Sequence, residues 1–132
     1  MEFQKKFLFI NISLAFGALY CLLAVIFSSL TSHLPDQYFI NDGRNMSRIA
    51  DNILFIHGLA LISVSILQKI WKLNLHFFLI GCIFILGLTL FCSGVFYISF
   101  TGFHPFLPIA PIGGTLLIFG WLYLAILALF LK

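Results

Sequence analysis

Charge is what this sequence has least of. Four acidic and seven basic residues make up 8% of the 132 positions, against 62% hydrophobic residues, whereas a soluble domain carries about 25% charged residues. A water-facing surface cannot be built from so little. A domain of this size exposes a large share of its area, and the surplus of Phe, Leu and Ile would form aggregating patches on it. The same scarcity excludes a basic stripe for nucleic acid, because the net charge of +3 is scattered thinly along the chain. Cysteine is sparse too. Cys21, Cys82 and Cys92 sit singly inside apolar runs with no CxxC spacing, so they read as small hydrophobes rather than as a disulfide framework or a C-x-x-C-H haem attachment. No Gly-x-Ser-x-Gly elbow offers a hydrolase nucleophile, and no phosphate-binding lysine loop offers a nucleotide site.

What is present is long uncharged stretches, and the mean hydropathy is +1.15. Residues 7–30 contain no Asp, Glu, Lys or Arg, and neither do 75–100. At 1.5 Å per residue each is long enough for a hydrocarbon core of about 30 Å. The first run is also longer than a signal-peptide core of about 7 to 15 residues, so it is read as a retained membrane helix. The expected fold is all-α: one integral membrane domain over 1–132, with four transmembrane helices at about 7–30, 49–67, 75–100 and 110–130 in an antiparallel bundle. The long polar loop, 31–48, holds Pro35, Asp36, the Asn41-Asp42-Gly43 turn signal, Arg44 and Arg48. From about Arg44 the chain already winds into the second helix, because Arg44, Arg48 and Asp51 fall at i,i+4 and i,i+3 spacing, where they are expected to pair. Lys69, Trp71 and Lys72 form an interfacial anchor between the second and third helices, and Pro111 suits the first turn of the fourth.

Counting basic residues gives the orientation. Lys5, Lys6, Lys69, Lys72 and Lys132 fall on one side, and only Arg44 and Arg48 on the other, so the positive-inside rule places both termini in the cytoplasm. Helices in lipid associate through small residues and interhelical hydrogen bonds. The expected packing stripes are Asn11, Ala15, Ala18, Ser29 and Ser32 on the first helix, Gly87, Gly94 and Thr101 on the third, and Gly113 and Gly120 on the fourth.

Ser93-Gly94, Tyr97, Thr101-Gly102, Ala110-Pro111-Ile112-Gly113-Gly114 and Gly120-Trp121 resemble the C-terminal signature of a family of small bacterial inner-membrane proteins. That family is known as domain of unknown function 423 and is similar to eukaryotic transmembrane protein 256. Ser32-His33-Leu34 and His57 fit the same pattern, so the resemblance spans nearly the whole chain. It implies a four-helix membrane fold in the bacterial inner membrane and no established activity. The sequence departs from the pattern where Ser32 replaces an alanine, and where Asp51-Asn52-Ile53-Leu54 replaces an Arg-Tyr-Gln run.

Four histidines carry what chemistry there is. An ionisable residue inside a membrane is by default a functional hypothesis, and His57 is one; the plainer reading is a neutral imidazole bonded to a carbonyl or hydroxyl of a neighbouring helix. His33, His57 and His104 are expected on one side, where they are candidates for copper, zinc or haem, although no spacing demands a metal and no cofactor is expected. His76 reads as an interfacial residue. Arg44 and Arg48 are candidates for lipid phosphate at headgroup level. Ser93, Tyr97 and Thr101, at i,i+4,i+8, are placed to bond toward the fourth helix or His57. The expected role is non-enzymatic: a membrane component contacting lipids, a second copy or other subunits of a membrane complex. The alternatives are a small dimeric transporter or channel, and a metal or haem redox protein using the three histidines.

Overall fold

A computed structural model describes residues 2–71, 74–103 and 108–130. It consists of α1 (Glu2–His33), a short 3-10 turn (Asp36–Tyr38), α2 (Gly43–Trp71), α3 (Asn74–Thr101) and α4 (Ile109–Phe130), with no strand among the described residues. All four long helices contain apolar stretches of 22 to 29 residues. Such stretches cover roughly 33 to 44 Å and so can cross a bilayer.

The polar connection is shorter than its composition suggests. α1 runs on to His33, and the chain reaches α2 by residue 43. Pro35, which has no backbone N–H, follows the last turn of α1. The 3-10 turn closes with Phe39 N–H donating to Asp36 O (2.9 Å), and Ile40 N–H then donates to Ser99 O at 3.1 Å, tying the connection to the end of α3. Asn41 takes the left-handed conformation (φ 52°), which Asn tolerates better than most residues. Gly43 follows because a Cβ there would collide with the Ser99 carbonyl.

Contacts between helices run antiparallel throughout. Gly17 meets Gly58 while Arg44 reaches Thr31; Cys92 meets Ala50 while Phe84 meets His57; Gly94 meets Ala110 while Phe84 meets Gly120. α1 packs along α2, α2 along α3 and α3 along α4, whereas α1 touches α3 at few points. The result is a diamond with α2 and α3 on its short diagonal. Of the most apolar 18 residues of each helix, 44% are buried in α2 and 39% in α3, against 22% in α1 and in α4. The core therefore lies on the diagonal, where Phe77, Ile80, Phe84 and Leu88 of α3 meet Leu54, Leu61 and Val64 of α2. Phe27 of α1 stacks on Phe96 of α3 at 4.0 Å between centroids. The faces turned away carry Leu22, Val25, Ile118, Phe119 and Leu129, an apolar exterior that suits lipid and not water.

Small residues set the close approaches, but not all of the expected ones. At the α3–α4 crossing, a Cβ on Gly113 would lie 2.6 Å from the Gly87 carbonyl oxygen and closer still to the Phe91 amide. Gly94 and Gly120 continue the same seam against Ala110 and Phe84. On α1, however, Asn11, Ala15, Ala18, Ser29 and Ser32 are all exposed, and the packing face is Ser13, Gly17, Tyr20, Ala24 and Thr31. Both faces carry small residues. Only Gly17 lets the α1 backbone approach Gly58 and Ile62 of α2 closely.

Candidate functional site

The buried polar side chains lie mostly along α2: Ser47, Asp51, His57, Ser65 and Gln68 are each at most 8% exposed. His57 is 14 residues from either end of α2, about 21 Å from each. It therefore sits at the middle of the helix, deeper than a helix starting near residue 49 would place it. Its Nδ1 lies 2.9 Å from Ile53 O on its own helix, and Trp121 Nε1 of α4 donates to its Nε2 at 2.9 Å. Indole N–H is a donor only, so Nε2 is the acceptor and Nδ1 carries the proton. His57 is thus a neutral imidazole with both nitrogens engaged. Its ring meets Phe84 edge-on at 5.7 Å and Trp121 at 5.8 Å, and Phe84 meets Trp121 at 5.3 Å. This aromatic cluster joins α2, α3 and α4. The carbonyl partner lies on α2 itself, and the cross-helix partner is an indole where a hydroxyl was expected.

Arg44 closes the end of α1. Its two terminal nitrogens donate to Thr31 O and Leu34 O, its Nε donates to Asp36 Oδ1 at 2.8 Å, and its guanidinium lies 4.6 Å from the centre of the Phe39 ring. The last carbonyls of a helix have no partner within it, and a planar fork from the next helix reaches two of them together. Arg48 is exposed, with no hydrogen bond or ion pair among the described residues. The expected pairing of Arg48 with Asp51 is not formed. Arg44 pairs instead with Asp36, and Asp51 turns toward α1.

Asp51 is 8% exposed, and its Oδ1 is buried with no hydrogen-bond partner. The Ser28 hydroxyl is within hydrogen-bonding reach of the carboxylate. The two residues line a cavity of about 200 Å³ between α1 and α2, together with Ala24, Val25, Asn52 and Phe55. A second cavity, of about 240 Å³, is bounded by Tyr20, Phe27, Leu54, Thr89 and Phe96 and is almost wholly apolar.

The remaining candidates are dispersed. His33 is exposed at the end of α1. The level of His57 on α1 is near Cys21, which meets Gly58; twelve residues separate Cys21 from His33, about 18 Å along the helix. His104 lies outside the described residues, and among those described no three His, Cys, Asp or Glu side chains converge on a metal site. His76 Nδ1 and Tyr123 Oη lie 2.8 Å apart, joining α3 to α4. Ser93 and Thr101 donate to carbonyls of their own helix, Leu90 O and Tyr97 O, and Ser93, Tyr97 and Thr101 are exposed, so they do not bridge to α4 or His57. Gly102 adopts the left-handed conformation (φ 65°) at the end of α3. Pro111 is exposed in the first turn of α4, and Gly114 faces the Phe91 ring.

Comparison with known proteins follows the same residues. A family profile described as "Protein of unknown function (DUF423)" matches residues 27–114. A UPF0382 membrane protein of Staphylococcus saprophyticus is 26% identical over 110 residues, covering 83% of this chain and 90% of the relative. A UPF0382 membrane protein of Staphylococcus haemolyticus is 29% identical over 115 residues, covering 83% and 88%. One from Staphylococcus epidermidis is 26% identical over 113 residues, covering 86% and 91%. No solved structure matches the chain.

Proposed function

The chain belongs to the DUF423 family of proteins of unknown function, and from that membership we propose that it is a non-enzymatic multi-pass component of the bacterial inner membrane. In this reading both termini are cytoplasmic, and the protein works by contact with lipid or with other membrane proteins. The observation that carries it is the outward face of α1. Asn11, Ala15, Ala18, Ser29 and Ser32 are all exposed, a row of small and polar side chains that admits close approach by another helix and offers hydrogen bonds across it. His57 and Arg44 are both engaged within the fold as links between helices. Purification in mild detergent tests the reading: bound lipid, a second copy or another membrane protein is expected, and Ala18→Phe, which adds bulk only outside the bundle, should reduce it. A strictly monomeric species free of lipid and protein contradicts it.

One observation favours a second reading, the small dimeric transporter or channel. Asp51 lies within a helix able to cross the membrane and not in the loop, so the coupling candidate is Asp51, because both nitrogens of His57 are bonded. Flux in proteoliposomes that disappears in Asp51→Asn would promote this reading.

A further inference from the structure

We propose that the cavity between α1 and α2 is a binding site for a small alkali cation, held at the carboxylate of Asp51. The inference stands on the cavity itself and on neither reading above. Asp51 is more than nine-tenths buried, it sits eight residues, about 12 Å, inside the start of α2, and its Oδ1 is bonded to nothing. A carboxylate removed from water in this way is neutralised by a proton, by a basic side chain or by a bound cation. A proton on the other carboxylate oxygen would leave the Oδ1 acceptor without a donor, as before. The nearby basic side chains do not supply the charge either. Arg44 is spent on Thr31, Leu34 and Asp36, and Arg48, one turn along α2, makes no ion pair.

The cavity has the oxygens and the room that a cation needs. Ser28 and Asn52 line the cavity together with Asp51, and a hydroxyl, an amide carbonyl and a carboxylate are all hard oxygen donors of the kind that alkali and alkaline-earth ions take. About 200 Å³ holds roughly six waters at about 30 Å³ each, enough to complete the coordination of a partly hydrated ion. One carboxylate matches one positive charge. A divalent ion, by contrast, commonly draws on several carboxylates, and among the described residues no second acid lines the cavity. Ala24, Val25 and Phe55 form an apolar wall, which keeps the rest of the surroundings low in dielectric and strengthens the pairing of the cation with Asp51.

The test uses the full chain in nanodiscs at neutral pH, with radiolabelled sodium in a scintillation proximity assay. Saturable binding of one sodium per chain is expected, competed by lithium or potassium and not by choline. Asp51→Asn, which preserves shape and removes the charge, should reduce affinity at least tenfold, and Ser28→Ala several-fold. A thermal melt in sodium chloride against choline chloride of equal ionic strength checks folding of each variant; the sodium-specific rise should appear in the parent chain and vanish in Asp51→Asn. Binding that is absent from the parent, unchanged in Asp51→Asn, or seen only with organic ammonium ions overturns the proposal. So does binding that appears only in Arg48→Gln, because Arg48 would then be the native counter-ion.

Discussion

Replacing Trp121 by phenylalanine isolates the one hydrogen bond that ties α4 to the middle of α2. The ring remains, so the contact with Phe84 (5.3 Å) is largely kept, and Trp121 is already 42% exposed, so little buried area is lost. What disappears is the Nε1–H donor to His57 Nε2 at 2.9 Å. Hydrogen bonds between membrane helices contribute about 0.6 kcal/mol on average and up to about 1.7. The stranded acceptor adds roughly 1 kcal/mol more, because His57 is only 5% exposed and Trp121 is the donor its Nε2 has. Together Trp121→Phe should cost about 2 kcal/mol in reversible unfolding measured by denaturant titration in mixed micelles. A double-mutant cycle separates the bond from general packing. In a His57→Leu background there is no acceptor to strand, so the same Trp121→Phe change should cost less than about 1 kcal/mol. If Trp121→Phe costs the same in both backgrounds, the indole is only filling space, and the argument that His57 is a structural link fails.

Two further outcomes follow from the geometry. Gly113→Ala places a Cβ 2.6 Å from the Gly87 carbonyl oxygen, a backbone atom that cannot swing aside; overpacking of this kind costs about 1 to 3 kcal/mol. Unfolding titrations should register that loss, whereas Ala110→Gly on the same seam should cost less than about 1 kcal/mol. Arg44→Gln strands Thr31 O and Leu34 O at the end of α1 and should cost about 1 to 2 kcal/mol, nearly all of it from those two carbonyls, because the Asp36 partner is 93% exposed and surface pairs contribute little. Amide hydrogen exchange should speed up in residues 34–42, and Arg44→Lys should not restore protection, because an ammonium cannot reproduce the planar fork.

Much of the fold was legible because lipid imposes one strong rule: a spanning helix must be long and uncharged. α3 shows the rule at its clearest, with no charged residue between Leu75 and Phe100. The ends of α1 and α2 were harder, because their last turns carry polar residues whose bonds come from elsewhere. Arg44 is decisive here: it draws α1 and α2 together across the connection, so residues 43 to 48 join the helix, as the helical spacing of Arg44, Arg48 and Asp51 indicated, although their composition resembles a loop. The α1 packing face was misread for a different reason. Two stripes of small residues run along the helix, and without water there is no penalty that marks one of them as the outside.

The pairing of His57 with Trp121 was within reach of the sequence, since both residues belong to the resemblance that marked the family, yet the two positions stand 64 residues apart and only the diamond arrangement brings α4 against α2. Asp51 shows the opposite limit. Its spacing from Arg48 satisfies the rule for a helical ion pair, but Asp51 lies at the edge of the buried face and Arg48 about 60° further round the helix, on the exposed side. That small rotation separates a neutralised surface pair from an uncompensated carboxylate between two membrane helices. A local spacing rule therefore cannot assign the charge balance of this protein; the contacts of α1 decide it, because Ser28 and the cavity beside it give Asp51 something to face. If the carboxylate is held there for a cation, the chemistry of this chain lies on the α1–α2 side of the diamond, while Gly94, Gly113, Gly120 and Trp121 serve to hold the other side together.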